Sequence, residues 1–502
     1  MSIRQSVVAN YLGQGWVALM GIVFIPFYVR ALGAEGYGLV GVYTILQAAM
    51  TLLDLGITPT LNREMARLQA GMHTAASIRD LLRSLEGLCA MLAVLMVLSV
   101  WLCAPWLADG WLVATQLPES LLVESLRVMG FVLAARWLEQ LYRGALQGLQ
   151  DMVWLNFAQA ALATLRWGGA LLVLVLVSPT VTAFFAWQGL VAVLALALLS
   201  VRTYRLLPEA AFRSRFRLSA LHEIRGFAGG MFLSALLGFL LIQADKLIIS
   251  KMLPLEQLGY YTFAAVGAGG LLQLITPMNT AVFPKLTELA TSRDTTSLAR
   301  VYLRSCEWMA AAILPPALLL TVFAEPTLLL WTGDSTLARS VAPLLSMLAL
   351  GTLLSGFMNL PYMLQLANGW PGLSIRINLV AVCVVVPLLV WAVPRYGAIG
   401  AACAWVALNT GYVLVGPHLM HKRLLPEVKW KWYRTAVVTP LAAGGVAAGT
   451  LLQLLPVPHS RDSAALIISC VFLATIAIVW SVLPTVRTTI LNALREAWSS
   501  GR

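Results

Sequence analysis

Stretches of about twenty mostly apolar residues recur along the whole chain, separated by short turns and small basic loops. A helix needs about 20 such residues to cross the hydrocarbon of a bilayer. Fourteen stretches qualify, at roughly 6–29, 36–58, 84–107, 121–143, 154–177, 181–201, 226–250, 257–282, 305–331, 341–364, 375–393, 398–420, 435–455 and 464–484. Charged types make up only 11% of the 502 residues, against about 25% in ordinary soluble domains. A water-soluble globule of this composition would lack the polar surface to cover itself, and disorder and coiled coil are excluded on the same ground. No segment shows the weak ten-residue alternation of an outer-membrane barrel strand. The expected fold is all-α, a polytopic membrane protein of about 14 transmembrane helices. Twelve is the alternative count, because one misjudged hairpin would leave the rest of the pattern intact.

Basic residues set the orientation. With a cytoplasmic N-terminus, 25 of the 34 Lys and Arg fall on the cytoplasmic side, 5 on the other, and Arg127, Arg136, Arg166 and Lys246 lie inside spans. Both termini are therefore expected in the cytoplasm. The net charge of +12 is spread between apolar segments and not gathered into a domain, which argues for lipid neighbours and against nucleic acid. Arg4 opens an apolar stretch that runs to Arg30 without a small-residue cleavage site, so it reads as the first span and not as a signal peptide. The six cysteines sit in or beside spans with no Cys-x-x-Cys spacing and read as apolar packing residues. The five histidines are scattered, no metal-ligand spacing occurs, and no Gly-x4-Gly-Lys-Ser/Thr loop is present. These features predict no metal, no cofactor and no nucleotide-driven pump. External loops are short, about 108–120 being the longest, which disfavours a membrane glycosyltransferase or other enzyme. Movement of a solute or lipid is the better expectation.

An internal repeat divides the chain. Leu32-Gly33-Ala34-Glu35-Gly36-Tyr37-Gly38 joins the first two spans, and Leu253-Pro254-Leu255-Glu256-Gln257-Leu258-Gly259 joins the seventh and eighth. An offset of 221 aligns Leu32 with Leu253, Glu35 with Glu256 and Gly38 with Gly259. The expected organisation is an N-terminal lobe over 1–201 (spans 1–6), a basic cytoplasmic linker over 202–225, a C-terminal lobe over 226–420 (spans 7–12) and an extra helix pair over 435–484 (spans 13–14). Parallel repeats of this kind place the substrate site between the halves.

Several segments carry a family resemblance: "FIPFYVRALGAEGYG" (24–38), "LLDLGITPTLNREMARL" (52–68), "QADKLIISKMLPLEQLGYY" (243–261), "ITPMNTAVFPKLTEL" (275–289), "FAEPTLLLWTG" (323–333) and "YGAIGAACAWVALNTGYV" (396–413). Together they resemble the polysaccharide-exporter (Wzx-type oligosaccharide flippase) branch of the multidrug/oligosaccharidyl-lipid/polysaccharide exporter superfamily, over about residues 5–420. The resemblance implies two pseudo-symmetric six-helix lobes around a central V-shaped cavity. It also implies alternating access that carries an undecaprenyl-pyrophosphate-linked oligosaccharide, an O-antigen or exopolysaccharide repeat unit, from the inner to the outer leaflet of a bacterial inner membrane. The implied partners are that lipid-linked oligosaccharide, membrane lipids, and a polymerase or other glycan-assembly proteins. Relatives in the superfamily include the lipid II flippase, in which two extra C-terminal spans help form a lipid groove.

Charges within the spans mark candidate contacts. A buried Arg costs at least about 2.5–3.5 kcal/mol on insertion scales, and its planar fork suits phosphate oxygens. Arg166 lies near the middle of span 5, too deep to reach either interface. On span 4, Arg136, Gln140 and Arg143 share a helical face with Glu139 beside them, while Arg127 points the opposite way and snorkels near the outer interface. Lys246, next to Asp245 and Gln243 near the outer end of span 7, is either a secondary contact or a snorkelling lysine. Polar stripes at Asn10 and Gln14 on span 1, and at Tyr43 and Gln47 on span 2, suit a wet wall or helix–helix hydrogen bonds. Ser355, Asn359 and Tyr362 form a similar face on span 10. Asp54 and Asp245 are candidates for ion coupling, Asp54 alternatively bracing the loop that carries Arg63. The expected substrate-binding set is thus Arg166, Arg136, Lys246, Gln140, Asn10, Gln14, Tyr43 and Gln47. Alternatives to a lipid-linked oligosaccharide flippase are a cation-coupled drug or small-solute exporter and a non-transporting scaffold for glycan assembly.

Overall fold

A computed structural model describes residues 3–54, 56–209, 225–456, 458 and 460–500. Most of the predicted linker 202–225 lies outside the described residues. Among them the chain is helical, with no strand beyond one isolated bridge between Val113 and Pro254. In order the helices are α1 (Ile3–Val23), α2 (Ile25–Met50), α3 (Ile57–Gln69), α4 (Ala75–Trp106), α5 (Glu119–Gly148), α6 (Met152–Leu176), α7 (Val181–Leu206), α8 (Arg225–Met252) and α9 (Leu255–Gly269). They continue as α10 (Leu272–Thr291), α11 (Thr295–Val322), α12 (Ala324–Thr332), α13 (Ser335–Ala367), α14 (Gly372–Leu424), α15 (Lys429–Trp432), α16 (Thr439–Leu454), α17 (Arg461–Val482) and α18 (Pro484–Ser500). Ten helical stretches among the described residues are long and apolar enough to cross a membrane. The protein is a multi-pass, all-α membrane chain.

Some of these stretches hold more than one arm. The 53 residues of α14 would extend about 80 Å as a straight helix at ~1.5 Å per residue. Yet the Tyr412 hydroxyl donates to Asn378 Oδ1 over 2.9 Å, so the helix doubles back. It does so at Gly397, whose φ of +62° an L side chain adopts only with strain. The predicted turn at Pro394–Gly397 is therefore real. Gly33 (φ +72°) breaks α2 in the same manner, inside the predicted turn between spans 1 and 2.

The chain forms two compact units, Met1–Gly259 and Tyr260–Arg502. In the first, α5 packs against α3, α4 and α7, and α1 against α6. Ile57, Leu61 and Met65 of α3, Ile78, Leu82 and Leu85 of α4, and Trp137 and Leu141 of α5 close into one apolar core. That core fixes α3 against the end of α5. The two turns equated by the 221-residue offset lie against each other within this unit. A Cβ on Gly38 would sit 2.1 Å from the Leu255 carbonyl oxygen, and one on Gly259 would sit 2.0 Å from the Ala34 oxygen. Ala34 and Leu255 are themselves 221 apart, so the contact is reciprocal, as a local two-fold relation demands. The 111–116 segment straps this crossing: Glu35 accepts from the amides of Thr115 (2.5 Å) and Gln116 (2.8 Å), and the Leu255 amide donates to the Val113 oxygen (2.8 Å). In the second unit α13 packs on α11, α12 and α14, and the α16–α17 pair packs on α11.

Helix starts follow local capping chemistry. Thr74, Thr180, Asp294 and Asp334 each accept a hydrogen bond from the first turn of α4, α7, α11 and α13, which satisfies amides that have no partner within the helix. The Thr74 cap explains why α4 begins at Ala75, ahead of the predicted residue 84. The chain stays helical through Arg79 and Arg83 before the apolar run starts.

Candidate functional site

The first unit gathers an unusual set of charges at the α5–α6 hairpin. Residues 136, 139/140 and 143 recur at helical spacing and so project from one side of α5; on α6, Gln159 and Arg166 are seven apart and share a face. The antiparallel hairpin brings these faces together. Arg143 Nη2 donates to Gln159 Oε1 over 2.6 Å, and one step along, Arg166 Nη2 lies 3.7 Å from Glu139 Oε2. Arg136 and Tyr43 complete the electrostatic neighbourhood, Tyr43 acting with Arg136, Arg166 and Glu139 and Arg136 with Arg143 and Arg166. Three guanidiniums thus share one electrostatic neighbourhood with the Glu139 carboxylate, Arg166 being the one within ion-pair distance of it. Both partners of the Arg166–Glu139 pair are largely withdrawn from solvent, with side-chain exposures of 12% and 8%.

Their donors are not used up. Arg136 Nε and Arg166 Nε are buried donors, and Glu139 Oε2 a buried acceptor, with no hydrogen-bond partner among the described residues. Buried polar atoms are ordinarily paired, at about 90% or more, so this cluster retains capacity for an additional anion.

Beside the cluster, a cleft of about 370 Å³ opens between α5 and the α2–α3 connection. Gln47, Asp54, Thr58, Arg136 and Gln140 line it, with Met50, Pro59, Leu133 and Trp137 supplying the apolar wall. Four residues singled out in the sequence, Arg136, Gln140, Gln47 and Asp54, therefore meet in one cleft. Arg136 links that cleft to Arg166 and Tyr43. Asp54 Oδ1 also accepts from the Thr58 amide (3.2 Å) and hydroxyl (2.6 Å), so Asp54 braces the start of α3 as well as facing the cleft. Gly148 makes the neighbouring contact possible, because a Cβ there would meet the Asn62 oxygen at 2.2 Å and Met65 Cβ at 2.7 Å.

The remaining predicted residues lie elsewhere. Lys246 Nζ is 3.8 Å from Asp245 Oδ1 and donates to the Ile242 oxygen over 3.3 Å; this neighbouring pair on α8 does not line the cleft. Gln14 is exposed on α1, and the side chain of Asn10 lies outside the described residues. Arg127 stacks on the Trp101 ring at 4.4 Å, with Glu119 and Glu124 in the same surface depression. Among the described residues no group of three or more His, Cys, Asp or Glu is placed to hold a metal ion. Sequence reading placed Arg143 at the cytoplasmic edge and Glu139 beside the face, without assigning either to the site. Their spacing from Arg136 was the available signal, and the partner across the hairpin, Gln159, carried none.

Comparison with known proteins identifies the family and the fold. The family model described as "Polysaccharide biosynthesis protein" matches residues 3–290, more than half of the chain. This chain belongs to that family. A Shigella flexneri protein described as "Putative O-antigen transporter" is 22% identical over 413 residues, which cover 81% of this chain and 94% of that protein. Among solved structures, the lipid II flippase MurJ in an inward closed conformation is similar over 96% of this chain and 98% of its own, with a TM-score of 0.70 at 11% identity. An inward-facing multidrug resistance MATE family transporter of the MOP superfamily matches with a TM-score of 0.64 at 15% identity, covering 82% of this chain and 96% of its own. At such identities the structural likeness speaks to fold, which is the MurJ/MATE-like helical fold. The resemblance read from the sequence motifs is borne out by the family match.

Proposed function

We propose that this family member translocates an undecaprenyl-pyrophosphate-linked oligosaccharide, an O-antigen or exopolysaccharide repeat unit, from the inner to the outer leaflet of a bacterial inner membrane. It does so by alternating access between lobes over 1–201 and 226–420, in a chain of fourteen crossings with both termini cytoplasmic. Support for the count comes from the breaks at Gly33 and Gly397, each of which divides one continuous helical stretch into two arms. The description of the Shigella relative and the MurJ-like fold support the substrate class. The observation that carries the reading is the partly buried cluster of Arg136, Arg143 and Arg166 beside the buried Glu139 carboxylate. A diphosphate headgroup must leave water to cross the bilayer, and preplaced guanidiniums replace part of its hydration with charge-assisted hydrogen bonds. Gln140, Gln47 and Tyr43 offer neutral polar contacts beside them; Lys246, Asn10 and Gln14 are secondary contacts in this reading, and Asp54 and Asp245 are the sites for a coupling ion.

The test is Arg166→Ala and Arg136→Ala in proteoliposomes loaded with a lipid-linked oligosaccharide, scored by appearance of the glycan in the opposite leaflet. Each variant is expected to lower the rate at least about tenfold, equivalent to loss of one charge-assisted contact. Wild-type rates at equal protein levels would overturn the assignment. Asp54 in the same cleft favours a second reading, export of an organic cation, under which Arg136→Ala would leave transport intact and Asp54→Asn would abolish it.

A further inference from the structure

Glu139 is the feature of this cluster that a simple anion site does not require. Elsewhere in the same unit three arginine–carboxylate pairs close to hydrogen-bonding distance, Arg202 Nε to Asp151 Oδ2 at 2.8 Å, Arg63 Nη2 to Glu64 Oε1 at 2.9 Å, and Arg83 Nη1 to Glu86 Oε2 at 3.1 Å, whereas the adjacent Lys246 and Asp245 stand 3.8 Å apart. Of these, Arg202–Asp151 ties α7 to the start of α6, and the other two arginine pairs lie within α3 and within α4. The Arg166–Glu139 separation is 3.7 Å, and both Glu139 Oε2 and Arg166 Nε remain without hydrogen bonds among the described residues. Charge-assisted bonds that hold structure run at about 2.7–2.9 Å. Glu139 therefore neutralises its guanidiniums without occupying their donors.

We propose that the Glu139 carboxylate is a resident counter-anion, standing in for one phosphate oxygen of the cargo while the site is empty and giving way when a diphosphate arrives. The inference rests on the anion-site reading above and adds a competitor to it. Its physical reason is the empty half of the transport cycle. Three partly buried guanidiniums without an anion carry a desolvation penalty, and a carboxylate on the same helix as Arg136 and Arg143 offsets it in every conformation in which α5 stays intact. Because Glu139 is held loosely, the cargo displaces it without breaking formed hydrogen bonds. Tyr43 on α2, Arg136 and Arg143 on α5, and Arg166 on α6 act in this neighbourhood; Asp54 lines the adjoining cleft with Arg136, and α7, packed on α5, carries Arg202 and Arg205 in its last turns, where Arg202 bonds Asp151 at the start of α6.

A resident counter-anion and a structural brace predict opposite results. Full-length protein in detergent is titrated with geranyl diphosphate, a soluble polyprenyl diphosphate. Removal of a competitor in Glu139→Gln is expected to tighten binding about tenfold, while Glu139→Asp, which keeps the charge, stays near wild type. If Glu139 instead positions Arg166, Glu139→Gln binds more weakly or unchanged, and the proposal fails. Should the Gln variant not fold, wild-type protein supplies the measurement through a hydrophobic carbodiimide, which labels accessible protonated carboxyl groups. Geranyl diphosphate is expected to accelerate labelling of Glu139 as the carboxylate is released; unchanged or slower labelling overturns the proposal. Absence of any geranyl diphosphate binding by the wild type would instead refute the underlying anion-site reading.

Discussion

Arg166→Gln and Arg202→Gln remove superficially similar charges, and the structure predicts opposite consequences for them. At 3.7 Å and an effective dielectric of about 20, the Arg166–Glu139 attraction is on the order of 4 kcal/mol before any desolvation is counted. Against it stand the burial of the guanidinium, which costs several kcal/mol after relaxation, and repulsion from Arg136 and Arg143. These opposing contributions nearly cancel. Glu139 also keeps two cationic neighbours when Arg166 is lost, so the usual cost of an abandoned buried charge does not arise. Arg166→Gln should therefore change unfolding free energy by less than about 1 kcal/mol, in either direction, while flipping collapses. Arg202 is different: it bonds Asp151 at 2.8 Å and stacks on the Trp154 ring at 5.1 Å, tying α7 to the start of α6. Its side chain is 34% exposed, so the pair is discounted for solvent screening, and loss of both contacts should cost about 1–2 kcal/mol with transport per folded molecule preserved. The assay is reversible unfolding in mixed micelles titrated with SDS, run beside proteoliposome flipping on the same preparations. If Arg166→Gln lost more than about 2 kcal/mol, the cluster would be a structural ion network and the reasoning would fail.

Two further outcomes follow from the same unit. Gly148→Ala drives a Cβ to 2.2 Å from the Asn62 backbone oxygen, so α3 must shift off α5 at a cost of about 1–3 kcal/mol; Gly15→Ala, with nothing within 4 Å of the new Cβ, should be neutral, and a thermal-shift comparison of folded yield tests the pair. At Glu64, outside the spans, burial pushes the carboxyl up, and hydrogen bonds from His73, Arg63 and Arg67 outweigh it, leaving the group below its ordinary value of 4.5. A depressed folded value means the stabilisation is present above the unfolded pKa and is lost as pH falls through the folded one. Hydrogen-exchange protection over 57–72, corrected for the intrinsic rate, should therefore fall below about pH 4.5 in the wild type and lose that step in Glu64→Gln.

Much of the fold was legible because it rests on the two strongest signals a sequence can carry, apolar length and punctuation by glycine and proline. Gly33 and Gly397 sit where the turns were expected, and their positive φ values are the physical reason the chain could reverse there. The repeat was legible for a deeper reason. Gly38 and Gly259 align at an offset of 221 because each must let the other turn's backbone approach, so a packing requirement wrote itself twice into the sequence. Helix α4 begins ahead of its apolar span because apolar content marks where a helix enters lipid, while the Thr74 cap marks where the helix begins.

The site was legible to the extent that it lies on single helices. Helical spacing alone joined Arg136, Gln140 and Arg143, and depth alone drew attention to Arg166. What no spacing could supply is the register of one helix against the next: that Arg166 faces Glu139, that Gln159 meets Arg143, and that Gln47 and Asp54 share a cleft with Arg136. This division has a mechanistic consequence. A charge that one helix presents and the same helix neutralises, as Glu139 does for Arg143 on α5, stays compensated however neighbouring helices move. A charge whose partner lies across a helix boundary, as Arg166's does, feels every change in register. In a protein of this fold the second kind is suited to sense loading and the first to survive emptiness. That one carboxylate serves both ties the electrostatics of the empty site to the α5–α6 hairpin.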